Sequence, residues 1–184
     1  GCGYGNFLYF LKTWGYKNVF GIDVSSEEVK LCRELFPQYS IEQADIVEYL
    51  SKTKEKFEAI YLSHVLEHIK KDEVFEFLEK IKGAMSDSGY LIIVVPNSSA
   101  YFNALATRYG DLTHEIGYSE NNILQLLRVA GFSRVSIRNF NGVGTFWLNI
   151  VRKFLMTCFE LFIQALGYDK QSIHTPSMLV IVQK

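Results

Sequence analysis

The chain begins GCGYGNFLYF (1–10), three glycines at alternate positions running into an apolar, aromatic stretch. Glycines at 1, 3 and 5 remove Cβ atoms from a tight turn, which lets backbone N–H groups approach a ligand closely. A plain connecting turn has the same composition, so the triplet alone leaves both readings open. The next segment narrows them. KNVFGIDV (17–24) reads as a buried strand that ends on an acid, Asp23. A carboxylate just past such a strand accepts hydrogen bonds from both hydroxyls of a ribose. It equally suits the start of the following helix, where N-cap carboxylates are common.

Outward from this stretch, short β-type runs alternate with helical ones. SSEEVKLCRELF (25–36) reads as a helix with Ser25 as N-cap, Glu28 in the capping-box position and Pro37 as its stop. YSIEQA (39–44) and FEAIYLSH (57–64) read as strands, with DIVEYLSK (45–52) as a short helix between them. KDEVFEFLEKIKGAM (71–85) has the 3.6-residue period of an amphipathic helix, followed by a DSG turn at 87–89. YLIIVVP (90–96) is a continuous apolar run, as expected of a strand covered on both faces. SENNILQLLRVAGF (119–132) is a helix from Ser119 to Gly131, and FSRVSIRNF (132–140) and PSMLVIVQK (176–184) are the last strands. This alternation predicts an α/β chain with a largely parallel sheet. Such sheets bind ligands beyond the carboxyl ends of their strands. Gly1 to Gly5, Asp23, Asp45, Ser63, His64, Pro96 and Asn97 would share that rim.

At 184 residues the chain is sized for one domain, 1–184, and 48% hydrophobic content supplies a sizeable core. Nineteen basic against twenty acidic residues argue against a nucleic-acid partner, which needs a strongly basic face. Cys2, Cys32 and Cys158 are widely spaced with no C-x-x-C pair, as suits free thiols in a reducing, cytoplasmic compartment.

Two cofactor classes use a glycine turn with a ribose-binding acid. A dinucleotide site spaces its glycines G-x-G-x-x-G to bring a pyrophosphate onto a helix N-terminus. Here the spacing is G-x-G-x-G and position 6 is Asn6. A sulfonium cofactor carries no phosphate, so the turn need only pass close to a methionine moiety. In QADIVEYL, Asp45 is placed to accept from an exocyclic adenine amine, with Ile46 against the ring, although Asp45 is also a good N-cap.

On these residues the chain resembles the class I S-adenosylmethionine-dependent methyltransferases. GCGYG is similar to the second half of their first motif, Asp23 to their ribose-binding acid and Ala44–Ile46 to their adenine element. AIYLSHVLEHI (59–69) and GYLIIVVPN (89–97) are similar to their fourth- and fifth-strand segments. Glu58 stands where many relatives carry Asp. The resemblance implies a Rossmann-like three-layer α/β sandwich with a mostly parallel sheet of the seven-strand type and an antiparallel last strand. The first strand of that sheet would end just before Gly1, so the expectation is an N-terminally incomplete sequence. It also implies S-adenosyl-L-methionine as cofactor, held by Gly1, Gly3, Gly5, Asp23, Val24, Asp45, Ile46, Ser63 and His64.

Transfer to a hydroxyl needs a base. His64 and His68 flank Glu67 in SHVLEHIKKD, an H-x-x-E-H spacing seen in zinc sites. His64 ends a strand, however, so the two histidines would not share a helical face, and no metal is expected. YGDLTHEIGYS (109–119) falls in the loop that would overhang the transfer centre. His114 is the expected base, with Asp111 and Glu115 orienting it or binding substrate hydroxyls. The stretch resembles the corresponding loop of methyltransferases from bacterial cell-surface polysaccharide clusters, which implies a sugar, glycan or other small hydroxyl acceptor.

Between the last two strands lies TFWLNIVRKFLMTCFELFIQALGY (145–168), a long apolar helical insertion. Asn149, Arg152, Lys153, Thr157, Glu160 and Gln164 would form one narrow polar stripe on it. Its charges argue against a membrane span. Burial within protein, a lid, an oligomer contact or a peripheral contact at the inner membrane face remain. A nicotinamide-dependent oxidoreductase would share the glycines and Asp23. A non-catalytic methyltransferase-like interaction domain at a membrane would share the whole pattern without turnover.

Overall fold

The computed structural model describes residues 1–102, 104–140, 146–167 and 172–184. Element order is α1 (Asn6–Thr13), β1 (Phe20–Asp23), α2 (Ser26–Leu35), β2 (Ser40–Gln43), α3 (Ile46–Lys52), β3 (Phe57–Ser63), α4 (Val74–Ala84), β4 (Met85–Pro96), α5 (Ala104–Tyr109), α6 (Glu120–Val129), β5 (Arg134–Asn139), α7 (Phe146–Ala165) and β6 (Ser177–Gln183). A single 3-10 turn at Leu66–His68 follows β3.

The α/β alternation holds, but the sheet differs from expectation in two ways. Six described strands form two sheets, β1-β2 and β3-β4-β6-β5, in place of one sheet of the seven-strand type. No described strand lies between β1 and β3 to carry the hydrogen bonding across. Rings occupy the junction instead: Phe20 stacks 6.4 Å from Phe57, and Phe7 lies 3.9 Å from Tyr61. The larger sheet is also mixed, not mostly parallel. β3 runs parallel to β4, whereas β6 enters between β4 and β5 antiparallel to both. The reversal of the last strand is as expected.

Local sequence explains the main elements. Ser25 caps α2 by accepting from the Glu28 amide at 3.3 Å, and Ser119 and Asn122 close a reciprocal capping box on α6. The DSG turn does not end a helix; it is absorbed into β4. Phe57 pairs with Met85 while Ala59 pairs with Tyr90, so residues 86–89 bulge within the strand. The main core joins Val74, Phe77, Leu78 and Ile81 of α4 and Ile123 and Leu127 of α6 to the inner sides of β4 and β6. A second core under β1-β2 holds Leu8, Val29, Cys32, Phe36, Tyr39 and Ile41.

Residues Phe146–Ala165 of the insertion form a helix, and among the described residues much of its apolar surface is exposed. Ile150, Val151, Phe154, Leu155, Leu161, Phe162 and Leu166 are exposed. Within the expected polar stripe Glu160 is buried, 3.6 Å from the His174 ring, while Lys153, Thr157 and Gln164 are exposed. The side chains of Asn149 and Arg152 lie outside the described residues, as do positions 145 and 168 at the ends of that segment. Phe159 packs edge-on against Tyr101 at 5.2 Å. No helix among the described residues is long and apolar enough to cross a membrane.

Candidate functional site

The glycine turn is built by its own backbone and held by Asp23. The Gly1 and Cys2 nitrogens donate to the Ile22 carbonyl at 2.8 and 3.0 Å, laying the turn along the end of β1. Gly3 and Gly5 take φ of +50° and +84°, which side chains other than glycine rarely adopt. Gly5 is the N-cap of α1, and a Cβ there would lie 2.4 Å from Phe36 Cε2. Gly1 sits between the ends of β1 and β3: a Cβ on it would fall 2.4 Å from Val65 and 3.3 Å from the Ser63 carbonyl.

Asp23 is 8% exposed and uses both oxygens within the chain. Oδ2 accepts from Gly3 N at 2.8 Å and Oδ1 from Ser25 N at 3.1 Å. Each carboxylate oxygen keeps a second lone pair, so the same acid can tie the turn together and still accept from a ligand hydroxyl. Val24 beside it is an exposed apolar residue. Asp45 caps α3 through Oδ1, accepting from Val47 N at 2.8 Å and Glu48 N at 3.0 Å, and Oδ2 is left for an outside donor. The structural role is seen for both acids: Asp23 accepts at the start of α2 and Asp45 caps α3. Ile46 is half-buried against the main core. Paired glycines at positive φ, a buried acid at a strand end, and an exposed acid beside apolar side chains are a set that could take a nucleoside whose base offers an amine edge and an apolar face.

Burial pushes the thiol of Cys2 up to about 12, with neighbouring Cys32 adding to the effect. Cys32 donates to the Gly3 carbonyl at 2.9 Å. These thiols pack the turn and are not nucleophiles at neutral pH.

The second half of the rim gathers at the end of β3. Ser63 ends the strand, half-buried, and His64 follows at φ +54°, a strained conformation for a side chain other than glycine. Its Nδ1 lies 3.0 Å from Glu67 Oε1. The 109–119 loop docks on this corner through the Glu67 carbonyl, which accepts from Glu115 N at 2.8 Å. Arg108 donates to the His114 carbonyl at 2.7 Å and clamps the loop from the other side.

His114 is thereby brought to His68, the ring centroids 5.0 Å apart. His114 Nδ1 lies 2.9 Å from the Thr107 carbonyl, which can only accept, so in the neutral ring Nδ1 carries the proton and Nε2 a lone pair. Asp111 Oδ2 stands 4.0 Å from that Nε2, beyond a hydrogen bond. Asp111 Oδ1 accepts from Thr113 Oγ1 at 2.6 Å and Thr113 N at 2.8 Å, which holds its carboxyl below the usual range. Glu115 is exposed beside them. Asn97 directly follows β4 but is wholly buried, donating to the Ile173 and Thr175 carbonyls at 3.0 Å each.

Glu67 is what the sequence reading passed over. It is 1% exposed, and its Oε2 has no hydrogen-bond partner among the described residues. The H-x-x-E-H spacing was the available signal. His64 and His68 do not share a helix; the 3-10 turn that carries Glu67 and His68 instead meets the 109–119 loop.

A sequence profile of the methyltransferase domain matches residues 1–137. Among solved structures, the chain is similar to an S-adenosylmethionine-dependent methyltransferase from Archaeoglobus fulgidus, with 24% identity and a TM-score of 0.73, over 100% of this chain and 83% of that one. It is also similar to such an enzyme from Mesorhizobium loti, at 18% identity and TM-score 0.64 over 100% and 88%. The plantazolicin methyltransferase BamL, solved with a triazolic desmethylPZN analog and S-adenosylhomocysteine, gives 18% identity and 0.65 over 100% and 74%. No curated protein matches.

Proposed function

Because this chain belongs to the methyltransferase domain family, we propose that it is an S-adenosylmethionine-dependent methyltransferase acting on a hydroxyl of a sugar, glycan or related small acceptor. The observation that carries the cofactor half is Asp23, a buried acid bonded to the Gly3 amide at 2.8 Å at the end of β1. S-adenosyl-L-methionine supplies a methyl group on a positively charged sulfur. The chain holds it with Gly1, Gly3 and Gly5 along the turn, Asp23 on the ribose, and Val24, Asp45 and Ile46 around the adenine. Ser63 and His64 line the end toward the acceptor.

The acceptor half rests on the 109–119 loop. The Thr107 carbonyl fixes His114 with its Nε2 lone pair available, so His114 takes the acceptor proton. Exposed Asp111 and Glu115 bind neighbouring acceptor hydroxyls. The free thiols accord with a reducing cytoplasm. The exposed apolar face of α7 supports a peripheral contact, with the inner membrane surface or a second chain.

Calorimetry with S-adenosylhomocysteine and with NADH tests the cofactor half. Saturable binding of the first alone is expected, and binding of the dinucleotide alone would make the protein an oxidoreductase. Binding of the first without methyl transfer to any glycan fraction would favour a non-catalytic domain. For the acceptor half, His114→Gln should slow methyl transfer by about a hundredfold or more. An unchanged rate removes His114 from the proton's path.

A further inference from the structure

We propose that Glu67, His68 and His114 form a binding site for a divalent first-row transition cation, with one coordination position open to an oxygen of the acceptor. The inference rests on the reading of His114 as facing the acceptor, and it changes how that residue acts.

One ligand atom from each of the three residues lies within 4.8 Å of the other two. The hydrogen bonds around them show which atoms are available. His114 Nδ1 donates to the Thr107 carbonyl, leaving Nε2 as a Lewis base. Thr113 Oγ1 spends its proton on Asp111 Oδ1, so at 2.9 Å it accepts from His68 Nδ1. That fixes His68 in the same tautomer, again with Nε2 free. Each histidine is therefore oriented through its far nitrogen by a protein oxygen, the arrangement that fixes metal-binding imidazoles. The carboxylate is the independent observation. Glu67 Oε1 is taken by His64 Nδ1 at 3.0 Å, while Oε2 is buried with no partner among the described residues. A buried carboxylate oxygen without a donor costs stability, and a cation at this corner removes that cost.

Around a tetrahedral ion with bonds of about 2.0–2.2 Å, neighbouring ligands stand roughly 3.4 Å apart. From separations of up to 4.8 Å the ligand atoms need to close by up to about 1.4 Å, a movement that side-chain rotation at a loop corner supplies. Two imidazoles and one carboxylate select zinc, cobalt or iron over magnesium or calcium. Three protein ligands leave a position open, as in catalytic rather than structural sites. An acceptor hydroxyl in that position has its pKa lowered by the ion, and its proton passes to water. Without the cation His114 Nε2 accepts the proton as proposed above; with it bound, His114 Nε2 instead holds the ion that lowers the hydroxyl's pKa.

The test uses the full chain with Cys158→Ser, which removes an exposed thiol that would bind the probe. After treatment with EDTA, it is titrated with Co2+ and followed by visible d–d absorption. A band saturating at one equivalent is expected, displaced by Zn2+ but not by an excess of Mg2+. His68→Asn and His114→Asn should each weaken Co2+ binding by at least about tenfold. His68→Asn alone decides the matter if the His114 variant does not fold, as judged by circular dichroism. Absence of a band, a band unchanged in both variants, or displacement by Mg2+ as readily as by Zn2+ would overturn the proposal. S-adenosylhomocysteine binding measured in EDTA reads the methyltransferase assignment separately.

Discussion

At Asp23 one side chain ties two segments together: its oxygens accept from Gly3 N in the glycine turn and from Ser25 N at the start of α2. Asp23→Asn keeps one acceptor and loses the charge, so S-adenosylhomocysteine should bind about tenfold or more weakly by calorimetry. Gly5→Ala places a methyl 2.4 Å from Phe36 at φ +84°. It should lower stability by about 1–3 kcal/mol in urea denaturation. Asp111 is a pH-sensitive partner of Thr113. Its pKa is depressed in the folded protein, so this contribution is present above the ordinary carboxylate range and lost as pH falls through the lower folded value. Thr113→Val should move the Asp111 titration up in NMR. The structural roles of Asp23 and Asp45 were legible because strand ends and N-caps leave local signatures. Glu67 was not, because its burial depends on a loop about fifty residues away in sequence.

Helix α7 shows what periodicity can and cannot give. Its length was readable from composition, since no Gly or Pro interrupts Phe146–Ala165. Which side faced inward was not, because Glu160 lies inside while Phe154 and Phe162 lie outside. Phe154→Glu with Phe162→Glu should abolish co-sedimentation with anionic vesicles, or self-association by light scattering, and leave the helical circular dichroism unchanged. Phe159 is a poor choice for that test because it packs on Tyr101 and Phe102. The DSG segment carries the opposite lesson. Its turn residues were read as a connection, but Phe57 pairs with Met85 across them and draws them into β4 as a bulge.

In the molecule as a whole, stability is unevenly distributed. β4 and β6 pair over seven positions, and Met178, Val180 and Val182 of β6 are fully buried. β1 and β2 pair over four positions, and only Ile41 of β2 is buried. Amides of β4 and β6 should therefore exchange last in hydrogen–deuterium exchange and those of β2 early; uniform protection would contradict this division. The sequence by itself determined the α/β alternation, the caps and the glycine turn. Each depends on neighbours within one element or one turn, whereas the reversed last strand was expected only from the family resemblance. Tertiary structure alone decided that the strands divide into two sheets. It alone set Glu67, His68 and His114 at one corner and left the apolar side of α7 uncovered. Those outcomes depend on contacts between residues far apart in the chain, and no local pattern of polarity encodes which distant partner arrives.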